Sequence, residues 1–213
     1  MSERFSNRFP GYNVLDKWDS PSWNEQTREV VRKRLTEIPE RRFFTESEWE
    51  ILNAACDRLI PQPDRPNDPV PIAPFIDEKL FENRGNGYRY ATMPPMREAW
   101  RQGLRAIDEE AHAKWGAGLC ALPDNQKDAV LRAIQHGDVV SQAWQGLPPK
   151  QFFKTALLHE AVTVYYAHPA AWNEIGFGGP AYPRGYYALN HGAPEPWEPR
   201  QRSGYSEEEL RSP

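Results

Sequence analysis

His159-Glu160 is the pair in this chain whose residue types most directly invite a chemical reading. A histidine followed by a glutamate opens the zinc motif H-E-x-x-H, in which two histidines one helical turn apart hold the metal and the glutamate serves as base. The second histidine would have to stand at position 163, which is Thr163. His168 lies further along and off the required helix face, so the zinc reading fails. A polar pair, buried or facing a partner and bonded to neighbouring helices, is the better account. Asn190-His191 offers a general base with a helper, yet no nucleophile accompanies it, and a lone histidine defaults to the surface. No G-x-S-x-G, phosphate-binding loop or paired-carboxylate pattern is present.

Gly176-Phe177-Gly178-Gly179-Pro180-Ala181 fits the loose pattern G-x-G-x-x-A. A dinucleotide fingerprint needs a strand before it and a helix opening from it. Here a helical pattern precedes it, and Pro180 and Pro183 stand where the phosphate-binding helix would begin. The glycines instead let backbone approach a neighbour closely. Phe177, Tyr182, Tyr186 and Tyr187 then supply large contacts at low entropic cost, as interface anchors do.

The elements that must position these residues are helical. Residues 25–37 predict a short helix with Val30, Val31, Leu35 and Ile38 along one stripe. Thr45-Glu46-Ser47-Glu48 is a capping box, and Trp49, Leu52, Cys56, Leu59 and Ile60 follow on one face until Pro61. Six prolines in residues 61–74 make a stiff connector. A helix over Ile72–Phe81 and a glycine-punctuated loop over 83–92 come next. A helix from Pro95 carries Met96, Trp100, Leu104, Ile107 and Ala111, and another opens at Asp124 and stops at Gly137. The most apolar stretch, Lys150 to about Ala167, predicts a central helix covered on every face. Beyond residue 176 regular structure is not expected, apart from a short helix at Glu207–Arg211. The fold class is mainly α: an irregular helical bundle around the central apolar helix (about 150–167), with long arms rich in Pro, Gly and aromatic residues. We divide it into an N-terminal arm with a short helix (1–42), a helical core (43–175) and an extended C-terminal arm (176–213). Phe5, Phe9, Tyr12, Trp18 and Trp23 stud the first 24 residues without a period, as expected of an arm that docks its aromatics.

Composition supports this division of labour. The 213 residues suffice for one ordinary domain. The 21 prolines are about twice the usual share, while 8 tryptophans and 9 each of Tyr and Phe give too many anchoring side chains for simple disorder. A net charge of −4 carries no basic footprint for nucleic acid. Two cysteines, Cys56 and Cys120, cannot hold an iron–sulfur cluster, and no C-x-x-C pair exists; free thiols on helix faces are expected. No apolar run approaches the ~20 residues of a membrane span. The first 20 residues lack an apolar signal region. Arg41-Arg42 carries the paired arginines of a twin-arginine signal, but the charged run Glu46–Glu50 follows. A cytoplasmic protein is expected.

Two stretches together are similar to a known family. One runs Phe43-Phe44-Thr45-Glu46-Ser47-Glu48-Trp49-Glu50-Ile51-Leu52 and continues through Ala54 to Pro61. The other runs Tyr165-Tyr166-Ala167-His168-Pro169-Ala170-Ala171-Trp172-Asn173-Glu174-Ile175-Gly176-Phe177-Gly178-Gly179-Pro180. They resemble the gluconate 2-dehydrogenase subunit 3 family, the small subunit of some multi-subunit flavoprotein dehydrogenases, over roughly residues 43–187. The resemblance implies a non-catalytic helical subunit without cofactor or metal of its own. It implies a hetero-oligomer with a large FAD-containing subunit of the glucose-methanol-choline type, which oxidises a sugar, sugar acid or related alcohol. The small subunit would assist that partner's folding, stability or export. The twin-arginine signal typical of periplasmic members is missing, so export is expected only alongside a signal-bearing partner. The candidate partner interface comprises Trp172, Asn173, Gly176, Phe177, Gly178, Gly179, Pro180, Tyr182, Arg184, Tyr186, Tyr187 and Trp197; an arm such as 182–198 could reach the partner's substrate entrance, where Arg184 or Trp197 could touch substrate, and the sequence does not decide whether it does. Two other readings compete: a helical scaffold or chaperone that releases its client, and an independent enzyme using His159, Glu160 or His191.

Overall fold

The computed structural model describes residues 9, 11–87, 90–181, 185 and 199, and every element among them is helical. The chain divides into two compact units, residues 38–165 and residues 1–37 with 166–213.

The larger unit begins with α2 (Glu46–Leu59), after α1 (Glu25–Thr36) of the other unit. Both limbs of the expected capping box are formed: Glu48 N donates to Thr45 Oγ1, and Thr45 N donates to the Glu48 carboxylate at 2.9 Å. α3 (Ile72–Phe81), α4 (Met96–Trp115) and α5 (Asp124–His136) follow. Gly116 and Gly137 close α4 and α5 in the left-handed conformation, at φ of +73° and +79°, where a side chain would be strained. Leu52, Ile76, Leu80, Leu104, Ile107, Ile134 and Leu157 fill the interior. An aromatic chain crosses it: Phe44 to Trp100 at 6.0 Å, Trp100 to Phe152 at 5.8 Å and Phe152 to Trp144 at 6.0 Å between ring centroids. A Cβ on Gly103 would stand 2.2 Å from the Phe152 ring, so glycine is what lets the two helices meet there.

The central apolar helix spans α6 (Pro149–Phe152), a π-helical segment over Phe153–Leu158 and α7 (His159–Ala167). Phe152, Phe153, Leu157, Ala161 and Tyr165 face inward, but Val162 and Tyr166 are exposed, so the helix is not covered on every face. The apolar count of the stretch exceeds what its neighbours cover. Periodicity also gives no sign of the π segment, where Thr155 Oγ1 donates at 2.7 Å to Gln151 O, the carbonyl that an α-helical amide at 155 would use.

Three buried carboxylates hold loops in this unit. Asp77 on α3 accepts from the backbone amides of Arg42, Phe43 and Phe44 at 2.6–3.1 Å. Glu110 on α4 accepts from Val140 N and Ser141 N. Glu160 on α7 takes Lys79 Nζ at 2.7 Å and Asn86 Nδ2 at 2.9 Å. Each therefore satisfies the rule that a buried charge is paired or hydrogen-bonded.

The two thiols are unpaired. Burial pushes Cys56 up from an ordinary 9.0 to about 12, whereas Cys120 is exposed. Because burial opposes the thiolate, Cys56 leaves stability unaffected below pH 9.0, where it is protonated folded or unfolded, and lowers it as pH rises from 9.0 towards about 12. Labelling with a thiol-reactive disulfide at pH 8 is expected to modify only Cys120 in the native chain, and Cys56 only after denaturant is added. Two fast equivalents in the native state would contradict the packing of α2.

The smaller unit contains a 3-10 turn (Val14–Lys17), α1 and α8 (Pro169–Ile175). α8 is absent from the sequence expectation, which ends the preceding helix at Pro169 and resumes none. Its signals are local and present: His168 Nδ1 caps Ala170 N, Pro169 occupies the first turn, and Gly176 closes it at φ +65°. Val14, Trp23, Val31 and Trp172 form the core of this unit, with Tyr12, Leu15, Trp18 and Leu35 packed against it. The expected helix at Glu207–Arg211 lies outside the described residues.

Candidate partner interface

α8 and the glycine turn after it carry most of the described residues that the sequence nominates. Trp172 is 3% exposed and part of the core. Its indole Nε1 donates to Tyr166 O at 2.7 Å, and the Arg34 guanidinium lies 6.0 Å from its ring. Burial pulls the Arg34 pKa below its ordinary value, and Arg34 Nη1 donates to Ala167 O. Asn173 Oδ1 accepts from Val14 N at 2.8 Å. The Phe177 ring stands edge-on to Trp172, 5.8 Å between centroids at 90°.

The glycines approach neighbours closely, as expected, and those neighbours belong to the same chain. A Cβ on Gly176 would meet the Phe9 ring at 2.5 Å; one on Gly179 would meet Val14 at 3.0 Å and Trp172 at 3.2 Å. The carbonyls of the turn are taken up in turn. Tyr12 Oη donates to Phe177 O at 3.3 Å, Lys17 Nζ to Gly178 O, and Trp23 Nε1 to Pro180 O at 2.6 Å. Lys17 is itself buried and lies 5.9 Å from the centre of the Trp23 ring. Trp18 stands edge-on to Trp23 at 5.7 Å, and Arg28 Nη1 donates to the carbonyls of Trp18 and Trp23. Phe9, Tyr12, Trp18 and Trp23 thus build a cradle for 173–180, while Phe5 lies outside the described residues. Sequence reasoning named both segments but had no local signal to join them.

What faces outward is apolar. Ile175 is 50% and Phe177 42% exposed, and Val30 on α1 is 46% exposed. Val30 lines a depression of about 350 Å³ with Asn24, Thr27, Arg34 and Pro180. A satisfied, glycine-shaped turn presenting isolated large apolar side chains can make contacts at little ordering cost. Tyr182, Arg184, Tyr186, Tyr187 and Trp197 lie outside the described residues, as do Asn190 and His191.

The His159-Glu160 pair is split by the fold. His159 is exposed, while Glu160 is buried and bonded to Lys79 and Asn86; Thr163, on the face a second zinc ligand would need, is exposed. Among the described residues no three His, Cys, Asp or Glu side chains are grouped to hold a metal ion. The G-x-G-x-x-A stretch follows helix α8, and among the described residues there is no strand to precede it. No helix among them is long and apolar enough to cross a membrane.

Comparison with known families adds one match. The family model described as gluconate 2-dehydrogenase subunit 3 covers residues 46–179, from the first residue of α2 through the glycine turn. No curated protein matches the chain, and no solved structure does.

Proposed function

The chain belongs to the gluconate 2-dehydrogenase subunit 3 family, and on that premise we propose that it is a non-catalytic accessory subunit of a dehydrogenase complex. It binds and stabilises, or helps to fold, a large FAD-dependent oxidoreductase subunit of the glucose-methanol-choline type. That partner holds the flavin and oxidises a CH–OH group of a sugar or alcohol. The family match over 46–179 carries this reading.

The face offered to the partner is the outer surface of α8 and its turn, centred on Ile175 and Phe177. Both are large, apolar and about half exposed, and the Phe177 backbone is already hydrogen-bonded within the chain, through Trp172 O and Tyr12 Oη. An obligate contact of this kind buries about 2,000 Å² or more, within which a few anchors dominate. Trp172 supports that face from beneath, so its replacement tests the support rather than the contact.

Phe177→Ala is expected to weaken capture of the partner by about 2 kcal/mol, roughly 30-fold in Kd, and Ile175→Asp to weaken it further. Both variants should keep the far-UV spectrum and melting temperature of the parent chain. Titration of the purified partner against each variant is the measurement. Unchanged affinity in both variants places the contact elsewhere on the chain.

A further inference from the structure

Lys79, Asn86 and Glu160 meet in the larger unit with their reactive atoms in mutual contact. Lys79 Nζ donates to both oxygens of Glu160 at 2.7 Å and to Asn86 Oδ1 at 2.5 Å, and Asn86 Nδ2 donates to Glu160 Oε1 at 2.9 Å. We propose that these side chains form a self-modifying site, in which Lys79 Nζ condenses with the Asn86 carboxamide to give an amide cross-link while Glu160 carries the protons.

The backbone alone already brings the nucleophile to its target. α3 ends at Phe81, and the chain folds back on its last turn: Asn83 N donates to Leu80 O at 3.1 Å and Arg84 N to Lys79 O at 2.9 Å. Asn83 takes the left-handed conformation, φ +53°. These are both hydrogen bonds and the turn residue of a Schellman closure. The carbonyl of Lys79 thus holds the returning segment, and Asn86 stands two residues beyond that bond. Glu160 reaches the pair from α7, with its side chain only 5% exposed. Lys79 and Glu160 would satisfy each other as an ion pair; the third contact is what sets a carboxamide carbon beside the amine.

The distances suit a condensation. With a carbonyl bond of about 1.2 Å, Lys79 Nζ lies no more than about 3.7 Å from Asn86 Cγ. Nζ need only swing from the edge of the carboxamide to its face to reach the ~3–3.5 Å of a near-attack pair. Glu160 touches both the nucleophile and the departing nitrogen, as a proton carrier must.

The steps balance. Glu160 takes a proton from the Lys79 ammonium, leaving a neutral amine with a free lone pair. Nζ bonds to Asn86 Cγ as the carbonyl electrons move to Oδ1. Glu160 gives its proton to Nδ2 and takes another from Nζ. The carbonyl re-forms, the Cγ–Nδ2 bond breaks, and Nδ2 departs as ammonia. One C–N bond forms and one breaks, nothing is oxidised or reduced, and no co-reactant is needed. Asn86 is exposed, so ammonia has a path to water. Electrostatics favours the product: a buried ion pair costs the desolvation of both charges, and the cross-linked site carries neither, because Glu160 keeps a proton.

The test is the mass of the purified full chain after denaturation. We expect the bulk of the chains to be lighter than the sequence mass by one ammonia. Trypsin should leave the bond after Lys79 uncut, with residues 85–89 carried as a branch on that side chain. Lys79→Arg keeps a cation opposite Glu160, but its guanidinium stays charged and makes no such attack; Asn86→Ala removes the acceptor carbon. Both should restore the full sequence mass, and so should Glu160→Gln, which lacks the proton carrier. If Glu160→Gln fails to fold, the other two variants decide. The Gly87 amide nitrogen offers a competing attack on the same carbon. A deficit of one ammonia that persists in Lys79→Arg is that succinimide, and an aspartate at position 86 is its hydrolysis product; either overturns the cross-link. The unmodified sequence mass in the parent chain overturns it too. None of these readouts involves the partner, so this proposal and the accessory-subunit reading fail separately.

Discussion

Asp77→Ala is expected to destabilise the chain by about 4 kcal/mol, from ~1–2 kcal/mol for each buried amide left without an acceptor. Asp77 is fully buried on α3, and its two oxygens accept from the amides of Arg42, Phe43 and Phe44. Those amides lie just before the capping box of α2, and they orient Phe43 and Phe44. Phe43 is flanked by the guanidinium groups of Arg97 and Arg101 at 4.9 and 4.4 Å, and Phe44 continues into the Trp100 contact. Losing the carboxylate therefore loosens the aromatic chain as well as three hydrogen bonds. Asp77→Asn retains one acceptor oxygen and should recover about half of the loss. Denaturant unfolding monitored by tryptophan emission measures both. A loss below about 1 kcal/mol for Asp77→Ala would mean that water or relaxation satisfies those amides.

Trp23→Ala should cost about 3–5 kcal/mol, as deletion of a buried tryptophan does, and the loss should be concentrated in the smaller unit. Trp23 is 2% exposed in a core completed by Val14, Val31 and Trp172. Its indole is the donor to Pro180 O. With the ring gone, the glycine turn loses a hydrogen bond and the support beneath Trp172. Amide hydrogen exchange should accelerate in α1 and α8 while α4 and α5 keep their protection. Partner capture should weaken too, although Trp23 faces inward. That separates it from Phe177→Ala, which should leave exchange in α1 and α8 unchanged. Unaltered protection of α8 in Trp23→Ala would contradict the cradle.

These expectations also mark what the sequence could reveal. α2 was legible because its start is chemical, a threonine and a glutamate that cap each other, and its stop is Pro61. α3, α4 and α5 followed from period and punctuation, with Gly137 terminating α5 as expected. All of these signals are local. The cradle is not: Tyr12 meets Phe177 across 165 positions, Asn173 meets Val14 across 159, and Trp23 meets Pro180 across 157. Nothing within a helical turn of Trp23 says which carbonyl its indole will find. The glycines at 176 and 179 did indicate close approach, but approach to a partner and approach to the chain's own N-terminal segment leave the same mark. The apolar run at 152–166 likewise told that its helix is central, without telling that Val162 and Tyr166 would stay uncovered. Glu160 beside His159 looked like half of a metal motif. Its task here, pairing with Lys79 and Asn86, depends on residues 74 and 81 positions away.

The accessory-subunit reading stands or falls on what travels with the chain. The tagged protein should be isolated from its native host under mild conditions, and its eluate examined by visible absorption and by mass spectrometry. The account predicts a flavin absorption band and one large oxidoreductase in fixed stoichiometry with this chain, both reduced in amount together in Phe177→Ala. A colourless, monodisperse single chain from cells that also contain that oxidoreductase would contradict it.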